Sequence, residues 1–329
     1  MLSSPHALPK TNPLAAQNLP AWYNLLMRFV TPARRAVADL SLLSVAFIWG
    51  LTFVMVQEAV QAYPVFAFLS ARFILAFLAM LPLALLLRHR TQGWGAATPL
   101  GKQLAAGAVI GLTLFAGYGF QTAGLQYTTP AKAGFITGLS VVIVPVLGML
   151  FAHERPGRGA WLGVALATAG LALLSLAGVN LAEGINPGDV LVFFCALSFA
   201  AHIFITGRVA HRMNPMTLTL TQIAMVALLS TLASALFEPP TPLFPGGQPL
   251  FAALFTGVLA TAVAFGVQTT AQRFTTATHT ALIFATEPVF AALSSFILIG
   301  ERLGPTQWIG GALILAGMLA AELGPAMMD

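Results

Sequence analysis

Residues 119–170 recur 147 positions later with no insertion or gap. Gly119-Phe120-Gln121-Thr122 returns as Gly266-Val267-Gln268-Thr269, Thr128-Thr129 as Thr275-Thr276, and Glu154-Arg155 as Glu301-Arg302. Trp161 returns as Trp308, Gly163 as Gly310, and Ala169-Gly170 as Ala316-Gly317. An offset that holds across apolar runs and loops alike marks a duplicated structural unit rather than shared composition. The unit is made for lipid. Only 8% of residues are charged and 58% are apolar, whereas a soluble domain carries roughly 25% charged residues. A duplicated membrane unit is the ground plan of a secondary transporter, with the substrate site between its halves.

A helix needs about 20 residues at 1.5 Å each to cross the hydrocarbon core. Apolar segments of that length fall at about 40–60, 64–87, 103–124, 129–151, 158–178, 188–208, 214–236, 249–271, 275–299 and 304–323. Breakers such as Asn186-Pro187-Gly188 and Asn214-Pro215 separate them. The expected organisation is a cytoplasmic tail over 1–39, a five-helix repeat over 40–180, and a second repeat over 187–324. Within the tail, Trp22 to Val30 suits a short amphipathic segment at the membrane surface as well as it suits a disordered stretch. With the N-terminus in the cytoplasm, 12 of the 15 Lys and Arg residues lie inside, only Arg302 lies outside, and Arg72 and Lys132 lie within spans. That is the positive-inside pattern, and it accounts for the net charge of +5 without any nucleic-acid partner. Five spans per half is an odd number, so the second repeat is inverted relative to the first.

Ionisable groups inside spans are costly and each needs a reason. Glu287 lies mid-span beside Pro288, which removes a backbone donor from the helix. Thr280, Phe284, Glu287, Ala291 and Ser294 follow helical 3–4 spacing and form a polar and aromatic stripe. Glu287 could carry a proton, anchor a substrate ammonium, or brace the bundle as a hydrogen-bonded carboxyl. His202 lies mid-span near Phe199 and could bind substrate, relay a proton, or pack with one hydrogen bond. Arg72 lies too deep to snorkel easily, and a structural role is expected of it ahead of substrate contact. Lys132 and His279 occupy equivalent repeat positions near opposite membrane faces. They could form charged thresholds there, with snorkelling to the interface as the simpler account. Gln121 and Gln268 are repeat partners, and Tyr118 shares a helix face with Gln121. They could read a zwitterion or hold helices together. Gly159, Gly163 and Gly170, with the copies Gly310 and Gly317, suggest peripheral packing helices and a contact suited to a weak homodimer, the alternative being a monomer.

No His-Glu-x-x-His pair, Walker-type loop or Gly-x-Ser-x-Gly elbow is present. The single cysteine, Cys195, permits no internal disulfide or cysteine-based metal cluster. Catalytic residues, metal ligands and cofactors are therefore not expected.

Trp49-Gly50 in span 1, Arg72 in span 2, Pro145 through Glu154-Arg155, and Glu287-Pro288-Val289-Phe290-Ala291 leading into Gly300-Glu301-Arg302-Leu303 resemble the drug/metabolite transporter superfamily. More narrowly the chain looks like the EamA-type exporters of bacterial inner membranes, including the YddG-type aromatic amino acid exporters. The resemblance implies an all-α integral membrane protein, with two inverted five-helix repeats around a central cavity. It implies small metabolites moved outward by alternating access. Phe199 departs from the tryptophan that many relatives carry in span 6. The expected substrate-binding set is Trp49, Tyr118, Gln121, Phe199, His202, Gln268, Phe284 and Glu287. Arg72, Lys132, His279, Pro145 and Pro288 are expected in structural or gating roles. Amino acids, aromatic ones included, are the expected substrates. Cationic drugs or sugar phosphates, and an intramembrane enzyme or sensor, are the alternatives. Sugar phosphates would call for several cavity cations, and only Arg72 and Lys132 are available. The expected setting is a bacterial inner membrane, with the lipid bilayer as partner and both termini cytoplasmic.

Overall fold

The computed structural model describes residues 21–91, 93–177, 184–244, 246–299 and 302–323. Among them the secondary structure is helical, without a strand. The elements in order are α1 (Ala21–Gly50), α2 (Phe53–Ala62), α3 (Val65–Thr91), α4 (Leu100–Gly124), α5 (Pro130–Gly138), α6 (Ser140–Ala152), α7 (Arg158–Ser175), α8 (Pro187–Val209), α9 (Pro215–Phe237), α10 (Gly247–Gly257), a π-helical turn (Val258–Val263), α11 (Ala264–Ala271), α12 (Ala277–Phe284), α13 (Glu287–Ile299) and α14 (Pro305–Leu323). Residues 38–329 group as one compact unit, apart from residues 1–37. Trp22 to Val30 falls within α1.

These elements make ten passes. Eight helical stretches are long and apolar enough to span unaided, and the ninth and tenth are the shorter apolar helices Ala277–Leu293 and Pro305–Ala321. Spans 1, 4 and 9 are broken. Span 1 breaks between α1 and α2, span 4 between α5 and α6, and span 9 between α12 and α13. In span 9 the cause is local. Pro288 has no N–H to give the carbonyl one turn earlier, and it suits the first turn of the new helix α13. The stripe from Thr280 to Ser294 is therefore not one continuous helical face: it crosses the break at Ala285-Thr286, and the side chain of Ser294 lies outside the described residues. The breaks in spans 4 and 9 fall at the same place in the repeat.

The halves are related by inversion, and the contacts bear its mark. Thr129 and Thr276, repeat partners, each cap the helix that follows by accepting from the backbone N–H three residues on. Gln126 donates to the carbonyl of Val60 at the end of α2. Its repeat counterpart Arg273 donates to the carbonyls of Ala210 and Met213 at the end of α8. The same device, a hairpin tip gripping the C-terminus of a neighbouring helix, thus sits on each membrane face.

Helices α7 and α14 pack on each other most extensively of all the pairs. A Cβ at Gly163 would lie 2.6 Å from the carbonyl oxygen of Gly317, and one at Gly170 would lie 2.5 Å from that of Gly310. The glycines are consumed by this crossing inside one chain. The packing role expected of these helices is thus seen within one chain. The geometry predicts that Gly170→Ala lowers the melting temperature of the detergent-solubilised protein, by an overpacking cost of about 1–3 kcal/mol. Trp308→Ala, at a half-exposed peripheral ring, should leave the melt almost unchanged.

Candidate functional site

A cavity opens at the centre of the bundle, with about 870 Å³ of empty space when the open solvent at its mouth is counted. Its walls come from spans 1, 3, 4, 6, 8 and 9, with Arg72 from span 2. The lining repeats itself. Tyr118 and Gln121 on α4 face Phe265 and Gln268, which stand 147 positions later on α11. Ser140, the first residue of α6, is the repeat counterpart of Glu287, the first residue of α13. Spans 1 and 6 correspond at an offset of 150, which pairs Trp49 with Phe199, Thr52 with His202 and Phe53 with Ile203. The three broken spans all bring their breaks to this cavity. Discontinuous helices at the midplane are the usual way a transporter offers backbone polarity to a ligand.

The aromatic wall is a connected cluster. The Trp49 ring lies 4.9 Å from Phe284 and 5.5 Å from Phe265. Tyr118 stands edge-on to Phe199 at 5.3 Å and to Phe265 at 6.2 Å. Trp49 is held by its indole N–H, which donates to the carbonyl of Ala260 at 2.8 Å. Ala260 lies in the π-helical turn, a deformation that often marks functional sites. Gly50 is required beside it, because a Cβ there would meet the backbone oxygen of Glu287 at 2.8 Å.

Polar side chains among these rings give the cavity its chemistry. Arg72 is buried and donates from Nε to the Thr261 hydroxyl at 2.9 Å and from Nη2 to the Tyr118 hydroxyl at 3.1 Å. Its guanidinium carbon lies 4.5 Å from the Tyr118 ring centroid. Its Nη1 has no partner among the described residues. Arg72, for which a structural role was expected ahead of substrate contact, also lines the cavity. Glu287 also lines it, and no described residue hydrogen-bonds or ion-pairs with its carboxyl. His202 is buried, with Nε2 2.8 Å from the side-chain oxygen of Gln222, and the Gln222 Nε2 donates to the Thr269 hydroxyl at 3.2 Å. Gln121 donates to the Thr137 hydroxyl at 3.3 Å.

All eight residues expected to bind substrate lie in the lining, as do Arg72 and Pro288. Pro145, Lys132 and His279 do not. Pro145 is buried inside α6. Lys132 does not snorkel: its Nζ lies 3.8 Å from Asp189 Oδ2, while Thr128 donates to the other oxygen at 2.5 Å. Nor does His279 stand at an open mouth. Its Nε2 lies 3.2 Å from Asp39 Oδ1. Asp39 and Asp189 occupy the corresponding places at the heads of spans 1 and 6, so the two pairs are inverted copies on opposite membrane faces. Each ties a hairpin of one half to the first helix of the other.

The comparisons with known proteins agree with this architecture. The pattern of the EamA-like transporter family matches residues 36–176 and again 186–321, one match for each half. A protein of Archaeoglobus fulgidus called "Uncharacterized transporter" is 35% identical over 88% of this chain and 87% of its own length. The Escherichia coli protein called "Uncharacterized inner membrane transporter YedA" is 24% identical over 86% of this chain and 90% of its own. A solved crystal structure superposes with a TM-score of 0.71 and 21% identity, covering 88% of this chain and 97% of that one. That last likeness concerns the fold. The chain belongs to the EamA-like transporter family and is a multi-pass membrane transporter.

Proposed function

We propose that the protein exports amino acids, aromatic ones foremost, from the cytoplasm across a bacterial inner membrane by alternating access. The carrying observation is the charge pattern of the cavity: one carboxyl, Glu287, with no partner among the described residues, and one guanidinium, Arg72, in a lining otherwise aromatic, aliphatic, hydroxyl or amide. A zwitterion brings one charge of each sign and so matches both groups. Glu287 receives the ammonium. Arg72 and the Tyr118 hydroxyl receive the carboxylate through charge-assisted hydrogen bonds. Trp49, Phe199, Phe265 and Phe284 pack the side chain. A sugar phosphate, a dianion, would meet a single cation and an opposing carboxylate, since Lys132 is drawn away to Asp189. A cationic drug would satisfy Glu287 and leave Arg72 uncompensated.

The inverted halves support alternating access, because they provide two near-equivalent packings. The reading is tested by counterflow in proteoliposomes against a panel of amino acids, sugar phosphates and organic cations. Exchange of phenylalanine-sized amino acids above the other classes is expected; equal exchange of sugar phosphates would overturn it. The basic-residue pattern supports cytoplasmic termini. In a Cys195→Ala background, Ile185→Cys and Gly246→Cys should therefore react with an impermeant thiol reagent added outside, while Lys102→Cys should not. Labelling of Lys102→Cys alone would invert the topology.

A further inference from the structure

We infer that Gln268 makes the site select substrates whose side chain carries a hydrogen-bond donor at its far end, an indole N–H or a phenol O–H. The inference rests on the amino-acid reading above and deepens it. Gln268 is only 1% exposed, yet it is one of the residues lining the cavity. Its side-chain oxygen has no donor among the described residues.

The direction of that oxygen is set by a relay that ends on the backbone. Gln272 donates from Nε2 to the carbonyl of Ile203 at 3.1 Å. A carbonyl only accepts, so Gln272 must turn its own oxygen toward Gln268. Gln268 therefore presents its NH2, donating at 3.3 Å, and its oxygen is left without a donor among the described residues. Flipping the Gln268 amide would set one NH2 against another. The rings around it cannot satisfy the oxygen. Phe265, one turn earlier, has no donor, and the Nε2 of His202 is engaged by Gln222.

The placement suits the outer end of an aromatic side chain. Thr261, which holds Arg72, lies seven residues before Gln268 on span 8, about 10 Å along the helix axis. A substrate with its carboxylate at Arg72 runs its side chain past Phe265 toward Gln268. A buried acceptor left unpaired is penalised, and sites built around such a group reject analogues that lack the matching donor.

The test is competition counterflow with the full chain in proteoliposomes. Tryptophan is compared with 1-methyltryptophan, which has lost the indole N–H, and with a ring-carbon-methylated tryptophan, which has gained the same bulk and kept it. Wild type should prefer the two N–H compounds about tenfold over 1-methyltryptophan, equivalent to about 1.4 kcal/mol. Gln268→Met should bring that ratio near one. Equal affinity of wild type for all three compounds overturns the donor requirement while leaving the amino-acid reading intact. So does a ratio that persists in Gln268→Met. Failure of wild type to exchange any amino acid overturns the functional reading itself. The wild-type ratio requires no variant, so misfolding of Gln268→Met does not spare the inference.

Discussion

Glu287→Gln protein is expected to insert and melt like wild type, yet to bind phenylalanine-sized amino acids at least about tenfold more weakly (about 1.4 kcal/mol). The first half of the expectation comes from what surrounds the carboxyl. No described residue hydrogen-bonds or ion-pairs with Glu287, so an isosteric amide leaves no protein group orphaned. A bracing role requires such a partner, and the structure offers none among the described residues. The second half follows from charge. An amide keeps the shape and one acceptor but loses the attraction for an ammonium inside a site lined by low-polarity rings, where charge-assisted bonds are worth more than neutral ones. Analogues separate the readings. 3-Phenylpropionate, which lacks the ammonium, should bind wild type and Glu287→Gln alike, whereas phenylalanine should discriminate between them. If Glu287 is instead a proton carrier, phenylalanine affinity persists in the variant and only the response of transport to a pH gradient disappears. Wild-type affinity together with a wild-type gradient response in Glu287→Gln would remove this residue from the mechanism.

The fold was legible because hydropathy averaged over a span reports burial in lipid directly. Each expected segment overlaps a helical pass, for example 188–208 against Pro187–Val209 and 249–271 against Gly247–Ala271. The breaks were less legible. Apolar sequence runs straight through Gly138-Leu139-Ser140, and nothing in an average over side chains reports a change in backbone direction. Pro288 hinted at the break in span 9, but the stripe through Thr280 and Ser294 was drawn across it. The same blindness hid the π-helical turn at Val258–Val263. Within the cavity, polar or aromatic groups in apolar runs stood out singly, which is why Trp49, Tyr118, His202 and Glu287 could be named in advance. Phe265 is equally central, touching Trp49, Tyr118 and His202. As one phenylalanine among 24 it carried no signal except its place as the repeat copy of Tyr118. Asp39 and Asp189 were passed over for a different reason. A carboxylate at a span end is ordinary, and its value here lies in a partner from the other half, which only the fold supplies.

Those two carboxylates carry the prediction with the other large effect. Lys132→Met should open the cavity to the membrane face on which that pair lies, and should do so without abolishing folding. The side chains of Lys132 and Asp189 are each 10% exposed, so removing the cation strands a nearly buried carboxylate. Breaking such a pair costs about 3 kcal/mol or more, a shift of about a hundredfold in a closed-to-open ratio. Asp189 remains to cap α8, where it completes a capping box with Asn186, so the helix itself should persist. Val56, in the cavity lining on α2, is a reporter on the same side as Lys132. In a Cys195→Ala background, Val56→Cys should react several-fold faster with an impermeant thiol reagent once Lys132→Met is added. The inverted pair supplies the control. Loosening the opposite face through Asp39→Asn should slow that labelling, because each ligand-free conformer that opens one face closes the other. The two pairs differ in one respect: the His279–Asp39 contact is a full ion pair only when the imidazole is protonated. The two faces thus carry chemically unlike ion contacts at corresponding places. Equal labelling of Val56→Cys with and without Lys132 would reduce the pair to a packing contact, while opposite responses to Lys132→Met and Asp39→Asn would make the two contacts the opposed gates of one cavity.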